Sequence, residues 1–244
     1  IDMTTTSVSA VSESQAQPSR RMIDAPTRVF HWLLALSFVG AYATSDGERW
    51  RLVHITLGYT MIGLVGFRLI WLLLGPKPAR WTAWAARFRA LMGSVKAAQL
   101  GQFKWPALQA GLNTLAIVAL LAAVVLTTAS GYVLDQEWLG DWFEEVHEVA
   151  GNALLAFVLG HLAVVLVGAV IKSDNPLRLM VTGRAPGRGP DLVPRNRIWL
   201  GALILAAVLG FWWTQWQAAP AQAPDGDVLV QANRPSDDHD DDDD

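Results

Sequence analysis

Apolar residues in this chain run in blocks rather than in the stripe of a surface helix. Four blocks can cross a ~30 Å hydrocarbon core, which takes ~20 residues of helix. They are residues 52–74, 112–134, 146–171 and 198–216. A fifth block, 29–44, lies near the lower length limit. It qualifies because no carboxylate or amine interrupts Phe30, Trp32, Leu33, Leu34, Leu36, Phe38 and Val39. Five transmembrane helices and no large soluble domain are expected.

The connections differ in character. Two are short, so the first and second helices, and the third and fourth, should be antiparallel neighbours. The segment 76–110 is long and mixes Trp81, Trp84, Phe88, Leu91 and Met92 with Arg and Lys. That suits either an amphipathic helix in the membrane interface or one packed on the ends of the bundle. The loop 172–197, rich in Pro and Gly, is expected to be irregular. Trp212, Trp213 and Trp216 close the last block as an aromatic belt.

Composition agrees with the blocks. Hydrophobic residues make up 52% of the 244 positions and charged residues only 17%, against ~25% in soluble domains. The charges separate by side. Lys77, Arg80, Arg87, Arg89, Lys96 and Lys104 lie between the second and third helices, and Lys172, Arg178, Arg184, Arg188, Arg195 and Arg197 between the fourth and fifth. Arg20, Arg21 and Arg28 precede the first helix. The opposite side holds Asp46 and Glu48 with Arg49 and Arg51, then Asp135, Glu137, Asp141, Glu144 and Glu145. By the positive-inside rule the N-terminus is cytoplasmic and the C-terminus periplasmic. Residues 1–20 are polar and rich in Ser, Thr and Gln, with no secretory signal pattern; Met3 could be the natural start. Cysteine is absent, which excludes disulfides, iron–sulfur ligation and covalent c-type haem attachment.

The chemistry sits in the histidines. An ionisable residue in a span is costly and marks function by default. His147 and His161 are fourteen residues apart on one block, a rise of roughly 21 Å in nearly four turns. Both rings then point to about the same side at two depths. His31 lies near the cytoplasmic start of the first helix and His54 near the outer start of the second. By depth the four sort into His31 with His161 inside and His54 with His147 outside. Two layers of two imidazoles are what two bis-histidine haems need. Small residues one turn away fit a porphyrin face: Ala35 after His31, Gly58 after His54 and Gly151 after His147. Gly160 and Gly168 flank His161. Arg28, Arg49 and Arg51 are candidate cations for haem propionates.

Plainer readings exist for each part. One histidine at a membrane interface can be a polar tip in the headgroups, and small residues at i+4 also pack helices. Four histidines sorting into two layers is harder to obtain by accident. A single zinc or copper site of four histidines needs all of them at one depth, which the spacing of His147 and His161 forbids. Arg68, Asn113, Asn152 and Glu148 are the other polar groups in or near spans, candidates for handling quinone protons or for helix packing.

Three stretches, "APTRVFHWLLALSFVGAYAT", "VHITLGYTMIGLVGFRLIWLLLGP" and "VHEVAGNALLAFVLGHLAVVL", resemble the bacterial cytochrome b561 and Ni-hydrogenase b-type cytochrome group. The resemblance runs from about Asp24 to Arg184. It implies a four-helix core with two haem b groups, His31 and His161 holding the cytoplasmic-side haem and His54 and His147 the periplasmic-side haem. It also implies electron transfer between membrane quinone and a redox protein. The fifth helix and the acidic tail lie beyond that core.

The expected architecture is therefore an all-α integral membrane four-helix haem-binding bundle plus a fifth transmembrane helix. Its parts are a disordered cytoplasmic N-terminus (1–22), the di-haem domain (23–184), a loop with the fifth helix (185–216) and an acidic periplasmic tail (217–244). Expected partners are lipid, quinone and either a periplasmic c-type cytochrome, for which the tail's acids could act as an electrostatic lure, or a membrane-bound redox enzyme complex. No nucleic acid is expected, and the setting is the bacterial inner membrane and its respiratory chain. The alternatives are a b-type anchor subunit of a hydrogenase or formate dehydrogenase-like complex, and a haem-free transporter or structural protein. The last lacks the inverted repeat or broken helix pair of transporters.

Overall fold

This molecule buries several polar side chains and leaves many large apolar ones exposed. Ser37, Thr60, Arg68, Thr114 and Ser130 are buried, while Leu74, Val149 and Val170 are 68%, 62% and 82% exposed. A water-soluble domain reverses that order; a bundle surrounded by hydrocarbon produces it. The computed structural model describes residues 18–101, 105–172 and 176–218. Among them are the helices α1 (Ala25–Ala43), α2 (Arg51–Leu74), α3 (Trp81–Gln99), α4 (Trp105–Asp135), α5 (Trp142–Lys172), α6 (Pro176–Thr182) and α7 (Ile198–Ala218), with two short strands, β1 (Ser19–Arg21) and β2 (Arg184–Pro186).

Four of the described helices, α2, α4, α5 and α7, are long and apolar enough to cross a membrane. The chain is thus an all-α, multi-pass membrane bundle. Helix α1 starts at Ala25, before the apolar block begins, because Pro26 in its first turn has the φ that a helix needs and no N–H to lose.

The helices pack in the order α7, α1, α2, α4, α5, with α3 against α4. The two expected hairpins, α1 with α2 and α4 with α5, are present. Helix α3 buries Leu91 and Ser94, and Leu91 sits in the notch left by Gly111 of α4. Its Trp81 and Phe88 remain exposed. The bundle-packed alternative therefore describes its inner face and the interfacial one its outer face. Helix α7 lays Val208 against Phe30, Leu33 and Leu64, and Trp212 Nε1 donates to Thr60 Oγ1 at 2.8 Å.

The segment before α1 and the loop before α7 depart from expectation. Ser19–Arg21, at the end of the stretch expected to be disordered, pairs antiparallel with Arg184–Pro186. The loop expected to be irregular contains α6 and β2. Asp191 ties the parts together: it accepts from Arg21 N at 2.6 Å and forms ion pairs with Arg21 and Arg184 at 3.6 and 3.8 Å. Gly183 makes the junction with φ +73, where a Cβ would run into the carbonyl of Ile23. Asp24, only 1% exposed, accepts from Thr27 Oγ1 at 2.5 Å and pairs with Arg197 at 3.8 Å. The result is a polar cap closing the α1 N-terminal end of the bundle. The tail and its His239 lie outside the described residues.

Candidate functional site

Helix α5 presents His147, Leu154 and His161 at steps of seven residues, two turns each, so the three share one stripe. Leu154, midway, is fully buried against Phe38 of α1, Met61 and Val65 of α2, and Ala123 and Val124 of α4. The two histidines therefore lie on either side of a dry central layer.

Helix α5 packs along α4 but has no comparable backbone packing with α1 or α2. Side chains make those links. Tyr42 OH donates to Asn152 Oδ1 at 3.1 Å, Leu154 fills the centre, and His54 of α2 meets His147 of α5. The space facing α1 and α2 is where the histidines point.

At one end, His54 and His147 have ring centroids 6.0 Å apart and planes 83° from each other. His54 Nδ1 lies 2.8 Å from the carbonyl of Ala41, in the last turn of α1. His147 Nδ1 lies 3.1 Å from the carbonyl of Thr127 and 3.0 Å from Ser130 Oγ, both on α4. A carbonyl only accepts, so Nδ1 carries the proton in both rings and Nε2 is left with its lone pair. A histidine that ligates a metal is held in that way. The ring of His147 lies over Gly131, where an added Cβ would come within 2.8 Å of Cε1. Gly58 and Gly151, one turn from the two histidines, have no heavy atom within 4 Å of where a Cβ would stand. The surface beside each ring is flat and open.

At the other end, His31 of α1 and His161 of α5 lie within electrostatic reach of each other. Both Nδ1 atoms are buried and lack a hydrogen-bond partner. Trp32 stands edge-on to His31 with centroids 5.5 Å apart, and its Nε1 donates to Met180 O at 3.2 Å. Gly160 also adjoins open space. Among the described residues no three His, Asp or Glu side chains converge on a metal-sized site. His54 and His147 are in ring contact, and His31 and His161 are within electrostatic reach.

The other candidates fall in varied places. Arg28 donates to Val181 O and, at 3.4 Å, to Asn196 Oδ1, so it belongs to the polar cap. Arg49 is exposed and lies over the Trp50 ring, and Arg51 is exposed. Asn152 takes the Tyr42 hydroxyl, Glu148 is exposed and Asn113 is half-buried. Arg68 is buried beside Phe30 and Trp84. Sequence reasoning missed Thr127, Ser130 and Gly131, which hold and admit His147. Their signal was present: "TTASG" breaks an otherwise aliphatic run on α4.

Comparison with curated proteins gave no match, and comparison with solved structures gave none. A family model described as prokaryotic cytochrome b561 matches residues 22–183, which include all four histidines. That range holds two thirds of the chain and the whole of α1 to α6. The chain belongs to the prokaryotic cytochrome b561 family, membrane b-type cytochromes that bind haem and transfer electrons.

Proposed function

We propose that this cytochrome carries electrons across the bacterial inner membrane between the quinone pool and a periplasmic redox protein, through two bis-histidine haem b sites. His54 and His147 hold the periplasmic-side haem, and His31 and His161 the cytoplasmic-side haem. The observation that supports the reading is the His54–His147 ring contact on one side of the buried Leu154, with His161 of the same helix within electrostatic reach of His31 on the other.

The residues fit the group. His54 and His147, with ring centroids 6.0 Å apart, would hold one iron between them, since two metal–imidazole bonds of ~2 Å plus the rings span about that distance. Nδ1 is occupied by Ala41 O and Thr127 O, which orients each ring and fixes its tautomer. The inner pair supplies buried nitrogens without protein partners. When bound, haem supplies one-electron transfer at its iron. With two imidazoles offered to each haem, the group would serve electron transfer rather than oxygen chemistry. Leu154, Phe38, Met61 and Val124 keep water out of the layer between the two pairs.

Orientation follows from the charges. The basic cap and α3 face the cytoplasm, and the acidic α4–α5 connection, with Asp135, Glu137, Asp141, Glu144 and Glu145, faces the periplasm. Helix α1 makes a fifth span, shorter than the others at 19 residues. The acidic outer rim favours a basic protein such as a c-type cytochrome, since opposite charges raise association rates.

The test is a pyridine haemochrome assay on detergent-purified protein, followed by quinol-driven reduction in liposomes. About two haems b per chain and rapid reduction by quinol are expected. A colourless protein from haem-replete cells overturns the reading.

A further inference from the structure

Seven-residue steps on α5 join His147, Leu154 and His161; the same steps on α2 join His54, Met61 and Arg68. The parallel is spatial. His54 meets His147, and Met61 and Leu154 share the central cluster. Helices α2 and α5 run in the same direction, since each is antiparallel to α1: the end of α1 reaches His54, and its start reaches His161. Fourteen residues from His54, roughly 21 Å along the axis, Arg68 lies at the depth of His161 and His31.

Arg68 is 8% exposed. Its guanidinium lies 5.9 Å from the centroid of Phe30, the residue next to His31, and 5.2 Å from that of Trp84 on α3. Its Nη1 is buried with no acceptor. Asp24 is near enough to act on it electrostatically, but its Oδ1 accepts from Thr27, and its Oδ2, 3.8 Å from Arg197, accepts no hydrogen bond from Arg68. A charge in a span that packs between aromatic rings and keeps an unused donor is expensive. Two aromatic contacts hold the side chain but leave that donor's desolvation uncompensated.

We propose that Arg68 receives a propionate carboxylate of the cytoplasmic-side haem. The inference rests on the two-haem reading and adds an anchor that the ligand pairs do not supply. A planar guanidinium matches a carboxylate's geometry, and the pair would satisfy Nη1 at the depth where the His31–His161 haem lies. Arg28, the cation suggested first by sequence, gives Nη1 to Val181 O and Nη2 to Asn196 in the polar cap, so only its inner Nε lacks a partner and the outer edge that would meet a carboxylate is taken. By neutralising a propionate beside the iron, Arg68 favours the reduced, less positive haem.

The experiment is a potentiometric titration of purified holoprotein, comparing wild type with Arg68→Gln and Arg68→Lys. In Arg68→Gln one haem's equilibrium moves about tenfold toward the oxidised form, ~59 mV for one electron. The other haem stays in place, and the shifted haem is the one lost in His161→Ala. Arg68→Lys restores most of the shift because it keeps the charge. Two bound haems with unshifted potentials in Arg68→Gln overturn the inference and leave the two-haem reading standing. So does an unshifted pair of potentials with loss of a co-purifying anionic phospholipid, or with a raised quinol KM, which assigns the guanidinium to those ligands. A wild type without haem overturns the reading beneath it instead. If Arg68→Gln does not assemble, haem carrying ¹³C-labelled propionates gives a second readout. The carboxylate infrared band of the loaded wild type then shifts in Arg68→Lys, and an unchanged band overturns the inference.

Discussion

Replacing Gly131 by Ala adds one methyl group to α4 in the worst available place. The new Cβ would stand 2.8 Å from His147 Cε1 and 3.3 Å from Nδ1, about 0.7 Å inside the ~3.5 Å at which carbon atoms pack. Backbone cannot yield there, so the imidazole moves. A shift of that size stretches the 3.1 Å contact to Thr127 O beyond hydrogen-bond range. Losing the group that orients a ligating histidine costs about 10–100-fold in affinity for the metal centre. The same substitution favours the helix by about 0.5–1 kcal/mol, because Gly is a poor helix former. The prediction is therefore a local loss without global collapse. Gly131→Ala should be purified in normal yield, keep the haem of His31 and His161, and hold the other weakly or with an altered potential. Haemochrome counts and redox titration of the variant read this directly. Two haems per chain with wild-type potentials refute the placement of His147 against α4.

Three further outcomes follow from the packing. Leu154→Ala empties the fully buried centre between the two pairs and should lower stability by about 2–5 kcal/mol, seen as an earlier thermal loss of helical signal in detergent. Trp212→Phe removes the 2.8 Å bond from α7 to Thr60 and should cost about 0.5–1.5 kcal/mol in the same assay, without changing haem content. Deleting residues 237–244, which hold seven of the tail's acids and His239, should slow reduction of a basic c-type cytochrome and flatten its salt dependence; unchanged rates at low salt would remove the tail from partner capture.

The parts legible in sequence were those that depend on local periodicity. The apolar blocks located α2, α4, α5 and α7 to within a few residues at most ends, and the fourteen-residue interval placed His147 and His161 on one face because helical rise and twist are nearly invariant. Leu154 could have been read from the same stripe, being seven residues from each. What stayed hidden depends on contacts between distant segments. Strands β1 and β2 pair residues about 165 positions apart, and neither carries an alternating pattern of its own. The acceptors that orient His54 and His147 are main-chain carbonyls, which every residue possesses and no residue type announces. Arg68 was visible as a charge inside an apolar block, yet its depth became meaningful only once α3 brought Trp84 against it. Arg28, closest in sequence to His31 among the cations, is turned away into the cap by Asn196 and Val181.

The central claim is the pairing of four histidines across two depths, and haem retention in the four single Ala variants tests it most directly. His31→Ala and His161→Ala should each lose the same haem, identified by its potential and band position, and His54→Ala and His147→Ala should each lose the other. Loss of one haem by both His147→Ala and His161→Ala, or full retention of two haems in any of the four, contradicts the account.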